Sequence, residues 1–134
     1  YDIVLIDSSD PIGPATGLFG REFYQDVYQI LKEDGLMVAQ TESPIFNREL
    51  LAGVSKNLRD IFPIARVYLT CVPSYIAGFW TFSLASKKYD PKQPARANPE
   101  PAILALRYYT PAVHQAALVL PPFVKEVVGE EGTP

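Results

Sequence analysis

The first ten residues constrain this chain most. Ile3, Val4, Leu5 and Ile6 form an unbroken β-prone apolar run that ends directly on Asp7. The run predicts a strand over residues 1–6, of the kind found in parallel sheets covered on both faces. A buried strand that breaks off on an acid and a Pro/Gly loop belongs to an α/β sheet, whose ligand crevice opens outside the carboxyl ends of its strands. Asp7 and Asp10 are therefore expected at the mouth of the sheet as paired carboxylates.

The remaining pattern alternates helix and strand. Residues 21–31 place Phe23, Val27, Ile30 and Leu31 at helical spacing, and Asp34-Gly35 supplies a stop. A short buried strand follows over 36–40, and Glu42, Ser43 and Pro44 break into a second loop on the crevice side. Asn47 is the expected N-cap of a helix carrying Leu50, Leu51, Val54 and Leu58 on one stripe, ending before Pro63. Residues 64–72 and 79–85 are strand-like, the second alternating Trp80, Phe82 and Leu84 with Thr81 and Ser83. The few residues between them leave no room for a helical crossover, so the two strands should pair antiparallel. Three segments result: residues 1–89 as half of an α/β domain, a Pro-rich connector over 90–101, and a helical segment over 102–134. In the last, a helical turn or two is expected over 102–106, Thr110-Pro111 opens a helix, Pro121-Pro122 ends it, residues 123–128 form a short final helix and the tail frays.

Composition narrows the function classes. At 134 residues, with 48% hydrophobic and 20% charged residues, the chain has the size and mix of one globular domain. A net charge of -3 without a basic run argues against a nucleic-acid partner and suits a small cationic substrate. Cys71 is the single cysteine, which excludes a disulfide framework and a multi-cysteine zinc site; its apolar strand setting predicts a buried small hydrophobe. No apolar stretch approaches a membrane span, and a cytoplasmic location is the default expectation. Carboxylates at Asp-x-x-Asp spacing can chelate magnesium. Pro11 directly after Asp10 and the lack of further clustered ligands predict no metal here.

Five ordered blocks carry a family resemblance. DSSDPIGPA with Leu18-Phe19 and Phe23-Tyr24, GLMVAQTESP, VPSY, GFWTFSLASKKYDP and RYYTPAVHQAALVLPPF together resemble the spermidine synthases. These are aminopropyltransferases with a Rossmann-like, methyltransferase-type fold. The resemblance implies an α/β chain holding the second half of that sheet, its last strand antiparallel, with the N-terminal part absent. In the family a small β domain, a Gly-rich turn and further acidic residues precede this half, so the isolated chain is expected to be inactive. The implied reaction moves an aminopropyl group from decarboxylated S-adenosylmethionine, a cosubstrate and no prosthetic group, to putrescine, giving spermidine and methylthioadenosine. The implied assembly is a homodimer or homotetramer.

The chemistry asks for carboxylates. The sulfonium is a good leaving group, whereas an alkylammonium with a pKa of about 10.4 is almost wholly protonated at neutral pH and cannot attack. A positioned carboxylate accepts a hydrogen bond from the amine and helps remove its proton. By resemblance Asp7 is that base, its pKa expected to be raised by burial or neighbours. By resemblance Asp10 recognises the amine, Gln40 binds the distal end of the diamine, and the Tyr75 hydroxyl contacts the attacking nitrogen. Glu42 adds a second anionic contact. Pro14, Ala15 and Leu18 fall in the loop assigned to the adenine side of the cosubstrate, where small apolar residues admit a flat base. Read alone, Asp10 is a loop aspartate before proline, Gln40 and Glu42 are polar loop residues, Tyr75 is packing or rim, and residues 14–18 are a covering loop. Trp80 is expected to pack in the sheet, and His114, the lone histidine, to be structural. Ile76-Ala77-Gly78 departs from the family's Pro-Ser-Gly and keeps open another acceptor such as agmatine or cadaverine. A non-catalytic ligand-binding or oligomer-forming role is the alternative from another class.

Overall fold

The computed structural model describes residues 1–75, 78–93 and 106–130. Its centre is a four-stranded sheet of β1 (Ile3–Ile6), β2 (Leu36–Gln40), β3 (Ile64–Cys71) and β4 (Phe79–Ser86), in the order β1-β2-β4-β3. β1 and β2 pair parallel, with Ile6 beside Ala39. β4 runs antiparallel to both neighbours, with Gln40 beside Phe82 and Tyr68 beside Phe82. The short β3–β4 connection thus gives the expected antiparallel pair, and the last strand inserts between the two before it.

Period-two geometry sorts the strand residues by face. Val4, Ile6, Met37, Ala39, Ala85 and Val67 share the face covered by α1 (Arg21–Ile30), α2 (Arg48–Ile61) and α4 (Pro122–Val128). Tyr24, Val27, Leu31, Val54, Leu58 and Phe62 close over its middle. Leu51, Val67, Leu120, Val124 and Val128 form a second cluster toward β3. Leu51, Val54 and Leu58 are buried as the α2 stripe predicts, with Leu50 half-buried. α3 (Pro111–Ala117) opens on Thr110, whose hydroxyl accepts from the Val113 amide at 3.1 Å. His114 bridges structure: Nε2 lies 2.8 Å from the Pro91 carbonyl and Nδ1 lies 3.4 Å from the Tyr109 hydroxyl.

The structure corrects several expectations. β1 is not covered on both faces: Ile3 is 57% and Leu5 75% exposed, because β1 lies at the edge of this sheet and α3, on that face, packs over the β3 end instead. In α1 the inward stripe is Tyr24, Val27 and the capping Leu31, which leaves Ile30 half-exposed. β4 presents its small polar residues inward: Thr81 and Ser83 are buried, while Trp80, Phe82 and Leu84 are half-buried on the opposite face. Cys71 is exposed rather than buried, since it ends β3 at the other sheet edge. Asn47 sits at the N-cap of α2 without a side-chain capping bond, and Ser43 Oγ instead accepts from the Ile45 and Phe46 amides just upstream. The Pro/Gly loop after Asp10 is wound into a 3-10 helix, Gly13–Phe19. The helical turn predicted over 102–106 lies almost wholly outside the described residues, as do most of the connector and the tail from 131.

Candidate active site

Topology brings the polar segments to one end of the sheet. β1, β2 and β3 point the same way, so their carboxyl ends share an edge; β4 runs against them and starts there. That edge gathers Asp7 to Asp10, Gln40 to Glu42, the turn after β3 with Tyr75, and Trp80 and Thr81 at the start of β4. It is the edge at which open α/β sheets bind ligands.

Asp7 leaves β1 directly and stands exposed, as does Asp10. The loop between them is tied to the next strand, because Gln40 Nε2 donates to the Ser8 carbonyl at 3.2 Å. Gln40 is half-buried and so holds the two-aspartate loop against β2. Past Asp10 the chain turns tightly, the Ile12 amide bonding the Asp10 carbonyl at 2.7 Å. Pro14 lies exposed in the 3-10 helix, with Ala15 and Leu18 half-buried. Leu18 packs against the core and Phe19 is buried in it, so this stretch is an anchored shelf beside the carboxylates.

Glu42 departs most from ordinary backbone and solvation. It is the one non-glycine with positive φ among the described residues, at 74°. Its side chain is 3% exposed, and Oε1 has no hydrogen-bond partner among the described residues. Burial, and then the nearby negative charge of Asp10, raise its pKa above the ordinary carboxylate value. Backbone strain and a desolvated acid at a crevice are two marks of a functional position.

Tyr75 is 40% exposed in the turn after β3 and lies against Trp80, ring centroids 4.3 Å apart at 53°. Sequence reasoning kept the two aromatics separate; only the antiparallel register folds the turn back onto the start of β4. Trp80 Nε1 is buried without a partner among the described residues. Ile76 and Ala77, the substituted loop positions, lie outside the described residues. No group of three or more His, Cys, Asp or Glu side chains gathers at metal-binding distance among the described residues, and no described helix is long and apolar enough to cross a membrane.

A mixed α/β sheet with acids and aromatics at its carboxyl edge is the class of open α/β domains that bind small ligands at that edge. Comparison with known proteins makes it specific. A family profile described as the spermine/spermidine synthase domain matches residues 1–95. A polyamine aminopropyltransferase of Moorella thermoacetica is 60% identical over 127 residues, covering 94% of this chain and 44% of the relative. A polyamine aminopropyltransferase of a Thermoanaerobacter species is 49% identical, over 97% of this chain and 46% of the relative. Among solved structures, a spermidine synthase in complex with the transition-state analogue AdoDATO superposes with a TM-score of 0.80 at 37% identity, over 97% of this chain and 45% of that one. The Thermotoga maritima spermidine synthase gives 0.77 at 38% identity. The chain belongs to the spermine/spermidine synthase family and spans less than half the length of these relatives.

Proposed function

We propose that the full-length protein transfers an aminopropyl group from decarboxylated S-adenosylmethionine to putrescine. One observation carries the reading: Asp7, Asp10 and Glu42 reach the same sheet edge in a chain 37% identical to a spermidine synthase whose solved complex holds a transition-state analogue. Several carboxylates at one crevice favour a dication, and their separation reads the spacing of its ammonium groups.

In this reading Asp7 accepts a hydrogen bond from the attacking amine and takes up its proton. The nitrogen lone pair forms a bond to the terminal carbon beside the sulfonium while the C–S bond breaks. The C–S electron pair passes to sulfur, leaving neutral methylthioadenosine. Tyr75 orients the nitrogen without adding charge. Asp10, Gln40 and Glu42 hold the diamine, and Pro14, Ala15 and Leu18 flank the adenine of the cosubstrate.

Kinetics of the full-length protein test the assignment. Asp7→Asn is expected to lower kcat by about 10²- to 10⁴-fold with the fold retained, and Asp10→Ala to raise the KM for putrescine while leaving the cosubstrate KM in place. Wild-type rates from the first variant remove Asp7 from the mechanism. Agmatine or cadaverine outcompeting putrescine in the same assay reassigns the acceptor.

A further inference from the structure

The left-handed backbone at Glu42 needs a restraint, and β4 supplies it. The Glu42 carbonyl accepts two hydrogen bonds from one residue, the Thr81 amide at 3.0 Å and the Thr81 hydroxyl at 2.7 Å. The next amide back, Thr41 N–H, donates to the Thr81 carbonyl at 3.0 Å. Thr81 therefore grips the chain on both sides of the Thr41–Glu42 peptide.

Proton counting orders the surrounding hydroxyls. Thr41 Oγ1 lies 3.1 Å from Thr81 Oγ1 and 3.1 Å from Ser83 Oγ. A hydroxyl has one proton to give. Thr81 spends its proton on the Glu42 carbonyl, so Thr41 donates to Thr81 and Ser83 donates to Thr41. The result is a one-way chain, Ser83 to Thr41 to Thr81 to Glu42, in which each bond polarises the next. Thr41 and Thr81 are fully buried and Ser83 is 1% exposed, so water does not compete for these bonds. This explains why β4 turns its small polar residues inward. A glutamate in the left-handed region is strained and persists only where its surroundings over-determine it.

We infer that Thr81, backed by Thr41 and Ser83, is a positioning residue for the amine site: it fixes the Glu42 carbonyl and so directs the Glu42 carboxyl inward at the carboxyl edge of the sheet, with Oε1, unpaired among the described residues, open to an incoming ammonium. The inference rests on the functional reading above. Thr81 touches no substrate and acts only through Glu42.

The test is calorimetric titration of putrescine into the full-length protein in the presence of methylthioadenosine, with steady-state kinetics alongside. Thr81→Val keeps the shape and removes the hydroxyl; it is expected to weaken putrescine binding up to about tenfold, the loss of one buried hydrogen bond, with kcat and the cosubstrate KM within about twofold. Thr81→Ser restores binding. In a Glu42→Gln background, Thr81→Val adds little, because the two act as one unit. If Thr81→Val does not fold, Thr81→Ala takes its place with the same expected split. Wild-type putrescine affinity in a folded Thr81 variant, an equal loss of both substrates, or a full additive loss in the Glu42→Gln background overturns the inference. A wild-type protein that binds putrescine but transfers nothing defeats the functional reading alone, and one that binds no putrescine defeats both.

Discussion

At the scale of single residues, Glu42 carries the clearest consequence. Its carboxyl is buried beside Asp10, and both burial and that neighbour disfavour its charged form. An acid whose folded-state pKa lies above its unfolded value binds its proton more tightly when folded. Its contribution to stability is therefore fully present below the unfolded value of 4.5 and is lost as pH rises through the higher folded value. Glu42→Gln removes that loss. The difference in Tm between this variant and the wild type should favour the variant more at pH 7.5 than at pH 4, and thermal melts at the two pH values measure it. A constant difference would mean that Glu42 is solvated as an ordinary surface acid, and a shift the other way that the fold stabilises its carboxylate; either contradicts the desolvated acid described here. Asp90 shows the opposite sense: burial raises its pKa, but the Lys92 amide and the Arg66 guanidinium 2.7 Å away outweigh burial and hold it below the usual range. None of this was legible in the sequence at Glu42. TES looks like any polar loop, and neither a positive φ nor an orphaned carboxylate oxygen leaves a mark in residue types.

At the scale of elements, periodicity carried most of the fold, and its failures share a cause. β2 runs over Leu36–Gln40 as its apolar run predicts, and β3 and β4 pair antiparallel because their linker is short. Period two also divided β4 correctly into two sets, but hydrophobicity could not say which set faces the helices. The inward set is Thr81, Ser83 and Ala85, whose small size admits α2 and whose hydroxyls serve the Thr41–Glu42 peptide. Likewise the α2 stripe named Leu50 and Leu51 together, although only Leu51 lies fully under α4 and β3. Leu51→Ala should cost about 2–5 kcal/mol in chemical denaturation and Leu50→Ala clearly less; equal losses would contradict this packing. α4 closes on Gly129 at φ 67°, and Arg59 donates to the Val128 carbonyl next to it. A Cβ there would meet the left-handed penalty and the Arg59 guanidinium 3.0 Å away. Gly129→Ala should therefore destabilise by about 1–2 kcal/mol.

At the scale of the whole molecule, the two sides of the sheet differ in what covers them. One side is sealed by α1, α2 and α4, with Met37, Ala85 and Val54 at or below 1% exposed. On the other side, among the described residues, only the region of α3 approaches the sheet, bounding a cavity of about 240 Å³ with Tyr68, Thr70, Leu84, Tyr108 and His114. Toward β1 that side presents Ile3 and Leu5, and among the described residues the backbone edge of β1 has no strand partner. An apolar edge strand of this kind templates further pairing, and contiguous apolar surface on a soluble chain draws a covering partner. The chain's 45% share of the matched synthase structure leaves more than half of a relative's length to supply such cover. The 134-residue chain expressed alone should therefore bind a hydrophobic dye such as ANS and associate as its concentration rises, while the full-length protein does neither at the same concentrations. Circular dichroism of the isolated chain must show its helices intact, so that dye binding reports the open face rather than unfolding. Replacing Leu5 by lysine, which places a charge on the exposed side of the edge strand, should suppress both signals in the isolated chain. A dye-silent monomer at all concentrations, with its secondary structure present, would mean that this edge and face tolerate water as they stand.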